Sequence, residues 1–436
     1  MNVLAIGYFD DFARFFLAVK KEFAKEDNNL NFKYLSLYLS GYLYFLARLH
    51  SVSFFSFSAW VRVIWNRKKY LSYLDTPSYK GINLDDIIGF YKKLGHTNDK
   101  NLKLQAIAYI DITEALLKRF KPDIILLSGD SRMAIEILDF QSKRMGIKTY
   151  YFEQGPFGTT ILDSKGVNAN ASLRKAKFEV KEVFSKKQKI QNFLQRKRKS
   201  KYKRNPLYRG MDYIYQFLGG EFPSIIPPDI IEINNKKNSK INSKKYKKST
   251  PILDRKKKIF LYILQVPSDV NMIYHSPFYK DHFSIVKDIY NKIPNGSQLI
   301  IREHPLYKKR YEKELYDFIH TNQLPLDKDG LYESIDRADV VIVNNSTVGI
   351  EAISRLKPVI VLGDSYYDAH DDLCLKLENK EKLSELLKKS LSYSIDEKKL
   401  ICFLDSFLFR YLIDGHFRDE KLTSPKKIVS KVLNDL

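Results

Sequence analysis

Short apolar runs alternate with longer stretches of helical periodicity along most of the chain. The clearest runs are bounded by glycine, proline or polar residues, which is typical of buried β-strands. Strands are predicted over Val3–Ile6, Ile124–Ser128, Thr149–Glu153, Ile259–Gln265, Gln298–Glu303, Val340–Asn344 and Pro358–Leu362. Because strands that alternate with helices form parallel sheets, the pattern predicts an α/β protein with two Rossmann-like domains.

Two basic tracts lie between the two groups of strands. Residues 186–204 contain ten Lys or Arg and no acid, and residues 236–258 contain eleven against one acid, Asp254. The second tract is rich in Asn and Ser and has no apolar pattern, so it predicts a linker or a mobile loop. The predicted organisation is a first domain over 1–235, a basic linker over 236–257, a second domain over 258–395, and C-terminal helices over 396–436 that pack across both domains.

The composition favours a folded intracellular protein. Hydrophobic residues make up 44% of the 436 positions, which is enough for two cores. Cys374 and Cys402 stand alone, so neither a disulfide framework nor a zinc site is expected, and a reducing cytoplasmic location fits. The first residues predict a buried strand rather than a signal peptide. The aromatic segments Leu35–Leu49 and Val52–Trp65 are too short and interrupted to span a bilayer, and core helices are the preferred interpretation.

The charge balance points to an anionic partner. Lys and Arg number 74 against 51 acids, a formal charge of +23. Such an excess suits a phospholipid surface, a nucleic acid or an anionic glycan, although a lysine-rich composition alone would also produce it. Specific nucleic-acid binding is not expected, because no aromatic RNA-binding motif, zinc finger or helix-turn-helix accompanies the charge. We predict that tracts 186–204 and 236–258 contact anionic lipid, at the inner face of the cytoplasmic membrane.

One group of residues suggests a phosphate site. A histidine at a strand end can donate a hydrogen bond to a phosphate oxygen and neutralise a leaving group. Hydroxyls that open a helix present an anion with free backbone N–H groups, and a carboxylate one turn later could accept ribose hydroxyls. Taken singly, these are an ordinary loop histidine, a helix cap and a solvent-facing helix residue. The group consists of His304, Pro305, Ser346, Thr347, Gly349 and Glu351.

Carboxylates follow other predicted strands. Glu153 closes one strand, and Asp269 follows another. If two domains close around a sugar, one carboxylate from each domain would face it, and such a pair can divide the nucleophile and acid/base roles. Asp130 is a third candidate, for helix capping or acceptor binding. For each of these residues alone, an ordinary loop or capping role is the alternative.

Several common catalytic motifs are missing from the sequence. It contains no GxxxxGK[ST], no GxGxxG after the first strand, no GxSxG and no HExxH, and no DxD lies at a convincing strand end. These absences disfavour P-loop, dinucleotide-binding, serine-hydrolase and zinc-protease chemistry. No metal or cofactor is expected.

The ordered motifs resemble those of the bacterial capsule polysaccharide synthesis proteins that are β-Kdo glycosyltransferases. These enzymes transfer 3-deoxy-D-manno-octulosonic acid (Kdo) from CMP-β-Kdo to a lipid-linked acceptor. The resemblance runs from about Phe152 to Tyr367 and implies a GT-B arrangement, in which two Rossmann-like domains face each other and C-terminal helices cross back. The matching segments are Glu153-Gln154-Gly155, Gln265 to Asp269, His304-Pro305, Ser346 to Ala352 and Lys357-Pro358-Val359.

The resemblance also implies roles for individual residues. Asp269 would be the nucleophile, Glu153 the general acid/base, and His304 the group that stabilises the leaving phosphate. The implied nucleotide-binding residues are His304, Pro305, Ser346, Thr347, Gly349, Glu351 and Tyr367. The implied substrate-binding residues are Gln265, Gln154, Gly155 and Asp130. Gln154 replaces an acid common in the family, and Phe157–Thr160 lacks its usual Arg-Ser, so the acceptor and the sugar stay open.

The resemblance places the CMP-sugar in the second domain and the glycolipid or oligosaccharide acceptor on the side of the first. It implies retention of the β configuration, and it suggests a partnership with a capsule biosynthesis and export complex. A sialyltransferase, or a polyol-phosphate transferase with a CDP donor, is the alternative of the same fold. A basic nucleic-acid-binding protein and a non-catalytic capsule-assembly protein are the alternatives of a different class.

Overall fold

The computed structural model describes residues 1–96, 98–178, 184–197, 199–221, 254, 256–370 and 372–436. The described residues form two compact units. The first draws on Met1–Val167, Lys197–Ile233 and Tyr411–Leu436, and the second on Asn168–Arg196 and Asn234–Arg410. The predicted domain boundaries stay predictions, and most of the predicted linker 236–257 lies outside the described residues.

Strands and helices are numbered here in chain order within these ranges. The strands are β1 Asn2–Gly7, β2 Asn31–Ser36, β3 Val52–Phe54, β4 Ser78–Tyr79, β5 Ile82–Asn83, β6 Ile124–Ser128, β7 Lys148–Gln154, β8 Thr159–Asp163, β9 Lys258–Ile263, β10 Ser297–Arg302, β11 Val340–Val343, β12 Val359–Val361, β13 Leu375–Lys376 and β14 Leu412–Asp414. The helices are α1 Asp10–Glu26, α2 Leu39–Leu46, α3 Phe55–Trp65, α4 Arg67–Leu71, α5 Leu84–Lys93, α6 Asp99–Phe120, α7 Met133–Arg144, α8 Phe184–Gln195, α9 Pro206–Glu221, α10 Val270–Tyr274, α11 His282–Lys292, α12 Lys313–Thr321, α13 Leu331–Arg337, α14 Val348–Ile353, α15 Leu383–Ser390, α16 Glu397–Ser406 and α17 Ser424–Asn434.

The first unit is built on a seven-stranded sheet with the order β14-β8-β7-β6-β1-β2-β3. Strands β7, β6, β1, β2 and β3 run parallel, whereas β8 and β14 are antiparallel to their neighbours. The central strands β1 and β6 are almost entirely buried, as expected for strands covered on both faces. Because the parallel strands point the same way, the loops after β1, β6 and β7 lie along one edge.

The second unit contains a five-stranded, fully parallel sheet with the order β10-β9-β11-β12-β13. Phe260 and Tyr262 of β9 pack with Ile285 and Val286 of α11 in its core. The sequence prediction of an α/β protein with parallel sheets is therefore confirmed. The seven predicted strands are all present, with ends that shift by at most two residues.

The remaining segments contain the predicted helices, but each also contains a strand that was not predicted. The aromatic segments 35–49 and 52–65 are not helices throughout, because each begins on a strand, β2 or β3, before its helix starts. The tail 396–436 is not purely helical, since β14 lies within it and joins the edge of the first sheet beside β8. Helix α17 then packs on α1 within the first unit.

A buried ionic cluster ties the chain after residue 197 to the first unit. The guanidinium of Arg204 bonds the carboxylates of Asp10 and Asp212, and Ser40 N–H donates to Asp212 Oδ1 over 2.9 Å. Asp10 is fully buried and Asp212 is 5% exposed. Burial raises the pKa of Asp10, and the neighbouring Arg204 acts in the opposite direction. The basic tract 186–204 is consequently not a free cationic surface throughout.

Lysines of the same tract also pair within the second unit. Lys186 Nζ lies 2.9 Å from an Asp405 carboxylate oxygen, and Lys187 Nζ lies 2.7 Å from that of Glu397. None of the helices in the described ranges is long and apolar enough to cross a lipid bilayer.

Candidate functional site

The predicted donor-site residues of the second unit follow three neighbouring strands. His304 comes two residues after β10, Asp269 lies in the loop after β9, and Ser346 and Thr347 follow β11. The sheet order places β9 between β10 and β11, and all three strands are parallel. Their loops therefore share one edge of the sheet, which is where open parallel sheets bind ligands.

His304 is a half-buried side chain with a defined tautomer. Its Nδ1 accepts a hydrogen bond from Leu306 N–H over 3.3 Å, and its own backbone N–H donates to the Tyr311 hydroxyl over 3.0 Å. With Nδ1 as acceptor, the neutral ring carries its hydrogen on Nε2, which can then donate to an anion. Burial lowers the pKa of His304, and the charge of Asp269 opposes this shift. The two predicted residues are thus electrostatically coupled.

Asp269 caps helix α10. Its Oδ1 accepts from Asn271 N–H over 2.8 Å, while no hydrogen bond to Oδ2 is formed within the described residues. The side chain of Asn271 donates to Asn168 Oδ1 over 3.2 Å, which ties the helix to a neighbouring segment of the same unit. A carboxylate held through one oxygen keeps the other for chemistry, so the cap and the predicted nucleophile role are compatible.

A pair of side-chain amides fixes the loop that carries Asp269. Gln265 Nε2 donates to Asn345 Oδ1 over 3.0 Å, and Asn345 N–H donates back to Gln265 Oε1 over 3.1 Å. The Asn345 amide also donates to the carbonyls of Asn271 and His275, each over 2.8 Å. Gln265 is 6% exposed, so in this structure it positions the loop. Substrate contact by Gln265 stays a prediction, and the sequence analysis missed Asn345.

Tyr367 lies against the turn that opens α14. It is fully buried, and its hydroxyl donates to the carbonyl of Ser346. A Cβ atom on Gly349 would lie 2.1 Å from that hydroxyl oxygen and 2.8 Å from Tyr367 Cζ. Gly349 is therefore required by the close approach of the tyrosine. The structure gives Tyr367 a positioning role, and direct nucleotide contact by it stays a prediction.

We expect Gly349→Ala to destabilise the second unit by about 1–3 kcal/mol, because the added methyl group overpacks against Tyr367. Urea denaturation followed by circular dichroism measures the change. Adding Tyr367→Phe should recover part of the loss, since it removes the nearest atom. Gly89→Ala is the control: a Cβ there meets nothing within 4 Å, so a gain of about 0.5–1 kcal/mol is expected. Equal behaviour of both alanine variants would contradict the proposed close contact.

Ser346, Thr347 and Glu351 surround the start of α14. Ser346 Oγ accepts from Val348 N–H over 3.2 Å, and the exposed Thr347 makes no side-chain cap. Glu351 is only 8% exposed, so the solvent-facing alternative for this residue is wrong. The burial of Tyr366 raises the pKa of its hydroxyl, and the nearby charge of Glu351 raises it further. The side chain of Glu351 is therefore buried near Tyr366 and does not lie on the solvent-exposed face of α14.

An ionic cluster holds the neighbouring loop of Tyr366 and Tyr367. Arg174 Nε donates to Asp368 Oδ1 over 2.7 Å, and its Nη2 donates to Asp364 Oδ1 over 3.0 Å. Lys376 Nζ reaches the same Asp364 oxygen over 2.8 Å. This cluster could not be predicted from the sequence, because Arg174 is distant in the chain from its partners.

The remaining candidates belong to the first unit. Asp130 follows β6, and Glu153 lies near the end of the adjacent parallel strand β7, at the same sheet edge. Val167 N–H donates to Asp130 Oδ2 over 2.9 Å, and Gln154 N–H donates to Glu153 Oε1 over 2.7 Å. Gln154 is exposed. Gly155 starts the tight turn into β8, where a Cβ would meet Thr159 Oγ1 at 2.3 Å.

Parallel α/β sheets with polar side chains on adjacent strand ends define a class of protein that binds its ligands at that edge. Within the described ranges, no group of three or more His, Cys, Asp or Glu side chains is arranged to hold a metal ion. A model of the family described as "Capsule polysaccharide biosynthesis protein" matches residues 124–371, more than half of the 436 residues. The chain belongs to this family, and the resemblance seen in the sequence is confirmed.

Two curated relatives are similar to parts of the chain. Protein FixF of Sinorhizobium fredii (strain NBRC 101917 / NGR234) is 30% identical over 185 residues, which cover 40% of this chain and 42% of that protein. The capsule polysaccharide export protein KpsS of Escherichia coli is 31% identical over 124 residues, which cover 25% of this chain and 31% of KpsS. The chain thus matches less than half the length of either relative.

Solved structures show more distant similarity. The beta Kdo 2,7 transferase of Thermosulfurimonas dismutans KpsC is 17% identical, with a TM-score of 0.40 over 74% of this chain and 89% of that one. The UDP-GlcNAc 2-epimerase of Neisseria meningitidis is 13% identical, with a TM-score of 0.35 over the full length of both chains.

Proposed function

We propose that this protein is a glycosyltransferase that transfers Kdo, or a related ulosonic acid, from CMP-β-Kdo to a lipid-linked or glycan acceptor in capsule synthesis. The observation that carries the proposal is the row of strand ends in the second unit, where Asp269, His304 and Ser346 follow three adjacent parallel strands. Membership of the capsule polysaccharide biosynthesis family supports the biological context. No metal or other cofactor is part of the proposal.

The donor would bind by its phosphate at this edge. His304 Nε2–H, the hydroxyls of Ser346 and Thr347, and the first backbone N–H groups of α14 all offer donors to an anion. Glu351 would accept the ribose hydroxyls. These donors interact more strongly with the dianionic phosphate that develops as CMP departs than with the monoanionic phosphodiester of the bound donor, so they favour bond breaking.

Transfer would proceed by two displacements with overall retention. Asp269 Oδ2 attacks the anomeric carbon of Kdo, the bond from that carbon to the phosphate oxygen breaks, and CMP leaves with the electron pair. Glu153 then takes the proton from an acceptor hydroxyl, whose oxygen attacks the same carbon and displaces the Asp269 carboxylate. The roles of Glu153, Gln154, Gly155 and Asp130 toward the acceptor stay predictions.

A lipid-linked acceptor would bring the protein to the inner face of the cytoplasmic membrane. In the first unit, α9 exposes large apolar side chains: Leu207, Tyr213, Ile214 and Phe217 are 79%, 62%, 55% and 71% exposed. Side chains of this kind support interfacial contact. The basic tract 186–204 would add to it through the cations that are not already paired, and most of the tract 236–258 lies outside the described residues.

The proposal is tested by turnover of the purified protein with a short glycolipid acceptor and a panel of donors. CMP-Kdo, generated in situ, should give β-linked product, which mass spectrometry and NMR of the anomeric centre identify. Product from CMP-sialic acid or a CDP-polyol alone would overturn the choice of sugar. Binding of CMP without transfer from any donor would favour a non-catalytic assembly protein.

We expect CMP to bind with proton uptake as the pH falls from about 7.5 toward 6. Burial holds the pKa of His304 below its usual 6.5 in the free protein, whereas an adjacent phosphate dianion raises it, so binding favours the protonated ring. Affinity should therefore rise at lower pH. Calorimetry in two buffers of different ionisation enthalpy measures the uptake of up to about one proton.

His304→Gln should remove this uptake, while His320→Gln, at an exposed position of α12 in the same unit, should leave it unchanged. Undiminished proton uptake in His304→Gln would show that another group binds the phosphate.

A further inference from the structure

An open cavity of about 740 Å³ lies in the first unit, on a face of the sheet that α3 and α6 cover. Asn2, Asn31 and Lys33 line it from the first residues of β1 and β2. These are the amino ends of the parallel strands, opposite the edge that carries Asp130 and Glu153. The cavity is therefore separate from the candidate residues of this unit, and its volume is in the range of small-molecule sites.

All charged side chains that line the cavity are cationic. Lys33, Arg62, Arg119 and Lys121 line it, and no Asp or Glu does. None of these four cations forms an ion pair with a carboxylate in the described ranges, although carboxylates pair with other lysines of the unit, as in Lys80–Asp111 at 2.7 Å. Asp123, two positions after Lys121 in the chain, accepts a hydrogen bond from Asn2 N–H over 2.7 Å.

Two further observations show cations that lack a compensating partner. The Nε atom of Arg62 is buried without a hydrogen-bond partner. Burial and the positive charge of Arg119 both lower the pKa of Lys33, burial being the larger cause. Holding like charges together in a partly buried cavity costs free energy, and a bound anion would remove that cost.

Part of the cavity lining is apolar. Leu35 and Phe55 are buried there, and Ile112, Leu116 and Phe120 complete the wall from α6. A simple inorganic anion would leave this surface unused. Cations and apolar side chains in one cavity suit a ligand with a charged head and a flat or aliphatic body.

We propose that this cavity is a second binding site, for a phosphate ester whose charged head pairs with Lys33, Arg62, Arg119 and Lys121 and whose body packs on the half-buried Ile112, Leu116 and Phe120. The ligand class covers both a phospholipid and a soluble nucleotide or sugar phosphate. The site lies outside the proposed donor and acceptor chemistry and does not depend on it.

The test is calorimetric titration of the full chain, without donor or acceptor, with dihexanoyl phosphatidic acid and with AMP, each at monomeric concentrations. Saturable binding of at least one probe is expected. The double variant Lys33→Gln with Arg119→Gln should weaken it at least about tenfold, because two charge-assisted contacts are lost. The probe that binds more tightly shows whether the site prefers a phospholipid or a soluble phosphate ester.

The matched control is Lys68→Gln with Lys69→Gln, which removes the same charge from exposed positions of α4 in the same unit. It should change the affinity by less than about twofold. Leu116→Asn, at a half-buried position of the cavity lining, should weaken the phosphatidic acid complex through loss of apolar contact. Absence of binding for both probes, or an equal loss in the two double variants, would overturn the proposal. Because no turnover is measured, failure of the proposed transferase function leaves this result unaffected.

Discussion

Replacement of Asp269 by asparagine is expected to lower turnover at least about a thousandfold, equivalent to about 4 kcal/mol of transition-state stabilisation. Asparagine caps a helix as well as aspartate does, so the bond from Asn271 N–H to the Asp269 side chain survives. The nucleophilic charge is lost, while the loop and α10 keep their structure. Initial rates with CMP-Kdo measure the loss, and binding of CMP should change much less.

Asp281 provides the control for this variant. It also caps a helix of the second unit, with its Oδ1 accepting from Ser284 N–H over 2.7 Å. Asp281→Asn should retain activity within a few-fold of the unmodified protein. Full activity in Asp269→Asn would exclude the covalent route and direct attention to Glu153 and Asp130.

Arg204→Met is expected to lower the free energy of unfolding of the first unit by about 3–5 kcal/mol. The substitution leaves Asp10 and Asp212 buried without their cation, and an uncompensated buried charge is among the most destabilising changes known. Urea denaturation at pH 7 measures the effect. The loss should shrink at lower pH, because protonation of the Asp10 carboxyl, whose pKa burial already raises, removes the unpaired charge.

The exposed pair of Arg355 and Asp336 gives the comparison. Their side chains are 38% and 48% exposed, so Arg355→Met should cost less than about 1 kcal/mol. Combining Arg204→Met with Asp10→Asn and Asp212→Asn should restore much of the lost stability. A small effect of Arg204→Met alone would show that water reaches the cluster.

The sequence predicted the central strands because those strands are buried on both faces and read as continuous apolar runs. The strands that were not predicted are β2, β3, β4, β5, β8, β13 and β14; all of them except the six-residue β2 have only two to five residues. The order of β9, β10 and β11 in the sheet also could not be read from the chain, although it is this order that puts Asp269 between His304 and Ser346.

Individual site residues were predictable by type but not by environment. The motif around Gly349 suggested a close approach, but sequence spacing did not show that Tyr367 is the side chain that packs there. Spacing likewise did not show that the side-chain amide of Gln265 bonds Asn345. Arg204 and Asp10 could not be paired in advance, since they are 194 positions apart.

The antiparallel pairing of β14 with β8, in which Leu412 lies opposite Ile161, has a consequence for synthesis. During synthesis, β8 is made before all strands of the second sheet, and β14 is made after them. Until β14 has been made, the edge of the first sheet at β8 has no partner strand, although the second unit can already fold. Open edges invite pairing with other chains, and a contact so distant in sequence forms slowly. If the chain is expressed as two separate pieces, divided after residue 167, the N-terminal piece should therefore aggregate. In the intact chain, pairing of β14 with β8 covers this edge.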